Sequence, residues 1–124
     1  MPADRHPHKR AAERRGRSSE SLAALMLRLK GYRILGRRIR THAGEIDLVA
    51  RSPGGILCFV EVKARAAEAA AALAVAPRQQ QRIARAASLF VAARPDLART
   101  AMRFDIVTVA PRTLPRHIRD AWRP

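Results

Sequence analysis

A chain of 124 residues can bury one core but not two, and this one sets 25 Lys and Arg against 10 Asp and Glu, a formal net charge of +15. The excess is 22 Arg and 3 Lys, which favours a polyanionic partner, nucleic acid first, although a genome biased toward Arg and Ala would leave the same mark. The single cysteine, Cys58, excludes an intrachain disulfide and fits a cytoplasmic setting; no apolar run suits a signal peptide or a membrane span, so no membrane partner is expected.

Residues 1–17 are rich in Pro, His and Arg and are expected to form a disordered basic arm ahead of one α/β domain at 18–124. Ser18 or Ser19 can cap a helix whose expected buried stripe is Leu22, Leu25, Met26 and Leu29, at i, i+3, i+4 and i+7, with Gly31 as its stop. Glu20 lies across the helix from that stripe, beside Ala24 and Leu27. It is therefore an exposed first-turn acid or part of a second, inward-facing line, and helical geometry alone prefers the first. Residues 32–35 read as a short strand, followed by a basic connector with Arg37, Arg38, Arg40 and His42.

The stretch 44–65 reads as a hairpin: Gly-Glu-Ile-Asp-Leu-Val-Ala, an Arg-Ser-Pro-Gly-Gly turn, then Ile-Leu-Cys-Phe-Val-Glu-Val-Lys-Ala-Arg. The alanine-rich 66–76 is open between helix and mobile chain. Pro77 starts a helix ending near Arg94 and Pro95, with Ile83, Ala87, Phe90 and Val91 inward and Arg78, Gln79, Gln80, Gln81, Arg82 and Arg85 on the polar face. Residues 102–109 alternate as a strand, with Phe104, Ile106 and Thr108 on one side. In the tail, His117, Ile118 and Trp122 suit a short helix, with Trp122 anchoring the terminus. The order helix, three strands, helix, strand implies an α/β fold with a mixed central sheet flanked by helices.

Asp47 interrupts the first hairpin strand, and Glu61 and Lys63, two apart, share a face at the end of the second. Because 56–60 is an unbroken apolar run, that strand is expected to be buried on both faces, and ionic groups at its end need partners, a metal or solvent. Two adjacent carboxylates repel unless one takes a proton or a divalent ion bridges them, and an all-oxygen pair suits Mg2+ or Mn2+. A lysine beside Glu61 can orient a water, a combination suited to phosphodiester hydrolysis. Arg65, Arg78, Gln80 and Arg82 are expected at the nucleic-acid backbone. His42 has no partner at zinc spacing, and Cys58 in an apolar strand is expected to act as a small hydrophobe.

Four segments together, Gly-Glu-Ile-Asp-Leu-Val-Ala at 44–50, Phe-Val-Glu-Val-Lys-Ala-Arg at 59–65, Gly-Tyr-Arg-Ile-Leu at 31–35 and Arg-Phe-Asp at 103–105, resemble the YraN family of uncharacterised bacterial proteins. That family is similar to archaeal Holliday-junction resolvases and to the wider PD-(D/E)xK, restriction-endonuclease-like superfamily. The resemblance implies that Asp47, Glu61 and the backbone carbonyl of Val62 hold the metal and that Lys63 serves the attacking water. It also makes Glu20 the first-helix acid, facing the site. The chain departs from the family pattern at Ser19, where a glycine is usual, and at Gln79, where a lysine is common.

Three functions follow as expectations: a metal-dependent DNA endonuclease acting on branched DNA, a catalytically silent nucleic-acid-binding module with the same fold, or an assembly protein in which the three charges form an ion network. A resolvase-like nuclease would need two sites to cut two strands symmetrically, which makes a homodimer plausible.

Overall fold

The computed structural model describes the backbone of residues 7–64 and 75–124, with side chains from Ser18 onward. Residues 1–6 of the expected arm, the nucleic-acid contact expected of Arg65, and 66–74 of the alanine-rich stretch lie outside the described residues.

Helix α1 spans Pro7–Leu29, so Ser18 and Ser19 lie within it and not at its start. Gly31, at φ +89°, ends it: its own N–H donates to the Arg28 carbonyl (3.0 Å) and the Tyr32 N–H to that of Leu27 (2.9 Å). This left-handed stop would strain any side chain.

The face of α1 against the sheet is not the leucine stripe. Leu22, Leu25 and Leu29 are exposed, Leu29 by 80%, whereas Ala23, Ala24 and Leu27 are buried and Glu20 is buried beside them. Residues 20, 23, 24 and 27 repeat the same helical spacing two positions earlier, and two alanines let the helix approach the strands closely. Glu20 thus faces inward.

Five strands form one sheet in the order β1 to β5: β1 (Arg33–Arg40), β2 (Glu45–Arg51), β3 (Leu57–Lys63), β4 (Met102–Thr108) and β5 (Arg116–Trp122). Only β3 and β4 are parallel, joined by a crossover that contains α2 (Pro77–Ala92) and a 3-10 turn at Pro95–Leu97. The fold is mixed α/β and compatible with a nuclease-like architecture. The helices cover opposite faces: Ile83, Ala86 and Ala87 of α2 pack with Ile46, Phe59, Phe104 and Ile106, while Ala23, Ala24 and Leu27 of α1 pack with Leu48, Cys58, Val60 and Val107. Cys58 is a core hydrophobe, its thiol pushed up by burial to about 11.

Two elements correct the reading of the sequence. The connector at Arg37, Arg38 and Arg40 is the second half of β1, which as an edge strand carries basic side chains toward solvent. The tail is not a helix but β5, antiparallel to β4. Ile118 and Trp122 are four apart, a spacing that keeps one face of a helix and, being even, one face of a strand. Trp122 does anchor the terminus, stacking on Phe104 at 4.3 Å.

Asp105, fully buried on β4, fastens this end of the sheet. It accepts both Nε and Nη2 of Arg103 at 2.8 Å, the His117 Nε2 at 2.8 Å and the Asp120 N–H at 3.0 Å. Burial alone would raise its pKa, but these donors hold it down at about 2. The Arg103 Nη2 also donates to the Tyr32 hydroxyl (2.8 Å), linking the network to the end of α1.

In urea unfolding, Leu27→Ala is expected to cost about 2–5 kcal/mol and Leu25→Ala to stay within about 0.5 kcal/mol; equal costs would return the burial to the leucine stripe. Asp105→Ala, which strands Arg103 against the core, is expected to cost about 3–5 kcal/mol by the same measurement.

Candidate metal and nucleic-acid site

The site is made by a failure of strand pairing. From the turn inward β2 and β3 pair regularly, Arg51 with Leu57 through Leu48 with Val60, and the register ends there. The next pair in sequence would be Asp47 opposite Glu61. Instead the Asp47 Oδ2 accepts the Val62 N–H at 2.8 Å, so a carboxylate takes the place of a backbone acceptor. Strict alternation breaks at the same point: Ile46 packs on the α2 side and Leu48, two residues on, on the α1 side.

The Val62 carbonyl looks into this gap. Lys63 offers its carbonyl to β4, accepting the Val109 N–H at 2.8 Å, and successive residues of a strand point their backbone groups to opposite sides. The expected ligand set, Asp47, Glu61 and the Val62 carbonyl, therefore borders one opening.

Side chains reach it from both layers. On the α2 side the Gln79 Nε2 donates to the Glu61 Oε1 at 3.1 Å, and Lys63 shares the face of Glu61 by alternation. On the α1 side Glu20 is buried against Arg38, whose Nε lies 3.4 Å from the Glu20 Oε2. Arg38 and Asp47 are opposite each other across β1 and β2, bracketed by the pairs Arg37 with Leu48 and Ile39 with Ile46.

The carboxylates act on one another. Burial, then the charge of Asp47, push Glu61 up to about 7, against the pull of Lys63 and Gln79. Asp47 is raised by burial despite its bond from Val62, with Glu45 adding to the rise and Arg38 and Lys63 opposing it. Glu20 is raised by burial and by Asp47. This is an acidic cluster short of positive charge, and the Glu20 Oε2 has no hydrogen-bond partner. Such a donor set fits a hard divalent cation. Among the described residues no three His, Cys, Asp or Glu side chains form a ready ligand group, so a cation here would rely on two carboxylates, the carbonyl and water.

Of the residues expected to contact nucleic acid, Arg78 and Arg82 are exposed on α2, while the Gln80 amide donates to the Val75 carbonyl at 2.9 Å, just ahead of the helix. Gly44 lies against α2, where an added Cβ would come within 3.3 Å of the Arg82 Cβ. A groove of about 630 Å³ beside this contact is lined by His42, Ala43, Arg85 and Ser88, and none of the site carboxylates borders it.

Two contributors were not singled out from sequence. Gln79 stood out only as a departure from the family pattern, and Arg38 was one arginine in a basic run. The signal for Arg38 is its backbone, at φ +52°, which no residue type announces.

The fold and this charged opening define a mixed α/β protein with a two-carboxylate, one-lysine centre. Residues 19–109 match the model of the Uncharacterised protein family UPF0102, and the chain belongs to that family, as the YraN-type resemblance implied. It is 56% identical over 117 residues to the UPF0102 protein amb4503 of Paramagnetospirillum magneticum, covering 91% of this chain and 90% of that one. The UPF0102 protein of Parvibaculum lavamentivorans is 54% identical over 114 residues, 92% of this chain and 85% of that relative. No helix among the described residues is long and apolar enough to cross a membrane.

With its folded pKa near 7 and an ordinary value of 4.5, Glu61 holds a proton that the unfolded chain has already released between those limits. Stability attributable to Glu61 therefore falls as pH rises from about 4.5 to about 7. In EDTA, Glu61→Gln is expected to remove that fall and leave the protein about 1–3 kcal/mol more stable than wild type above pH 7. Parallel stability curves for the two proteins would show that Glu61 titrates normally.

Proposed function

We propose that this protein is a divalent-metal-dependent nuclease that hydrolyses phosphodiesters in nucleic acid, with DNA, and branched DNA in particular, as the substrate to try first. The observation that carries the reading is the parting of β2 and β3 at Asp47 and Glu61, with Lys63 on the face of Glu61. A bound Mg2+ or Mn2+ would supply charge neutralisation and water activation, held by Asp47, Glu61 and the Val62 carbonyl.

The chain's own groups have separable tasks. Asp47 is held in place by the Val62 N–H, and Gln79 fixes one oxygen of Glu61 while leaving the other available. Lys63 is the donor that would orient the attacking water and stabilise charge developing on the phosphate. The exposed Arg78 and Arg82 of α2 supply positive charge that can draw in a nucleic-acid backbone. A four-way junction cut on two strands would need two copies of the site.

The silent-module reading also has an observation in its favour. Glu61, near 7, is partly protonated at neutral pH, which weakens it as a ligand. The two readings separate in a cleavage assay over linear, flap and four-way-junction DNA in Mn2+ or EDTA. The nuclease reading expects Mn2+-dependent products that fall by about a hundredfold or more in Glu61→Ala and in Lys63→Ala. Equal products from wild type and Glu61→Ala would overturn it. Salt-sensitive binding without cleavage, indifferent to EDTA, would establish the silent module.

A further inference from the structure

Arg38 is the one described residue of the acidic opening whose backbone is forced. Its φ of +52° is left-handed, costly for a non-glycine residue by about 1–3 kcal/mol, and it occurs in the middle of β1 at the position opposite Asp47. The turn swings the side chain toward the carboxylates. There it is only half committed: Nε lies 3.4 Å from the Glu20 Oε2, yet both atoms are buried and neither has a hydrogen-bond partner. The side chain remains 35% exposed, and its Nη atoms have no hydrogen-bond partner among the described residues. A guanidinium with a buried Nε on an acid and an outward fork of unspent donors has the geometry that phosphate recognition uses.

A purely structural counter-ion would look different. It would settle its Nε and Nη donors on Glu20 and Asp47 in bidentate bonds, as Arg103 does on Asp105. The other arginines of β1 are placed elsewhere: Arg33 is exposed at its start, Arg37 donates to the Ser21 hydroxyl (2.8 Å), and Arg40 lies 4.0 Å from Glu45.

We infer that Arg38 forms a phosphate-binding site at the mouth of the acidic cluster, its Nε turned to Glu20 and its outward Nη pair taking a phosphodiester group of nucleic acid. This rests on the nucleic-acid reading above and adds the residue that admits an anion beside Asp47, Glu61 and Glu20. Arg38 therefore has opposite effects on two ligands: it attracts the phosphate and repels a divalent cation.

The opposition gives the test. Arg38→Asn removes the charge and keeps a residue that tolerates the left-handed backbone, and Arg38→Lys keeps the charge without the fork. Binding of a labelled four-way junction is measured by anisotropy in Ca2+, and Mn2+ binding to the DNA-free protein by calorimetry. In Arg38→Asn, junction binding is expected to weaken about tenfold and Mn2+ binding to tighten about threefold or more, with Arg38→Lys between on the junction and near wild type on the metal. A junction affinity unchanged in Arg38→Asn, or shifts of the same sign for both ligands, would overturn the inference. Failure of wild type to bind the junction would overturn this inference and the nucleic-acid reading together. Weakened junction binding in Arg38→Asn, together with a wild type that binds the junction but never cuts DNA in Mn2+, would overturn the nuclease alone and support the phosphate contact.

Discussion

The opening between β2 and β3 exists because a side chain substitutes for a strand. Where the two strands part, the Val62 N–H loses its ladder partner, and a buried N–H left unpaired costs about 1–3 kcal/mol. The Asp47 carboxylate accepts it at 2.8 Å. One bond therefore does two things: it makes the separation of the strands tolerable, and it fixes the orientation of the acid that faces Glu61. Everything else in the site is arranged around that gap, with Arg38 across β1, Glu20 above on α1 and Gln79 below on α2.

Two clusters of charge in the same sheet illustrate opposite uses of burial. Asp105 has more donors than it needs, and its pKa is driven down to about 2; it is a fastener. Asp47, Glu61 and Glu20 have too few, and all three are driven up. A structural network is satisfied within the fold, whereas a set left short of positive charge is satisfied only by something from outside. The two clusters lie only a few residues apart along β3 and β4, so one sheet holds a satisfied network and an unsatisfied one side by side.

The hairpin, the pairing of Glu61 with Lys63 on one face and the helix after Pro77 were all legible in the sequence, because apolar runs bounded by Gly and Pro leave few alternatives. The inward face of α1 was legible only at Glu20 and only through the family resemblance, since residues 22, 25, 26 and 29 and residues 20, 23, 24 and 27 have identical spacing, and size favoured the wrong line. Close approach of a helix to a sheet selects small side chains, a tertiary requirement invisible to a helical wheel. The terminal strand was hidden for a related reason, as a four-residue interval satisfies both periods. In the site, Asp47, Glu61 and Lys63 could be picked out as charges in apolar strands. Arg38 could not, because its place depends on a backbone angle and on a register.

The sheet ends on two edges, and both carry like charge: Arg33, Arg37 and Arg40 are exposed along β1, Arg116 and Arg119 along β5. Unpaired strand edges invite a second sheet to add on, and rows of cations oppose this. Two copies meeting edge to edge would set arginine against arginine. These exposed arginines thus discourage self-association by sheet extension, an effect of charge on the strand edges and not of their pairing pattern.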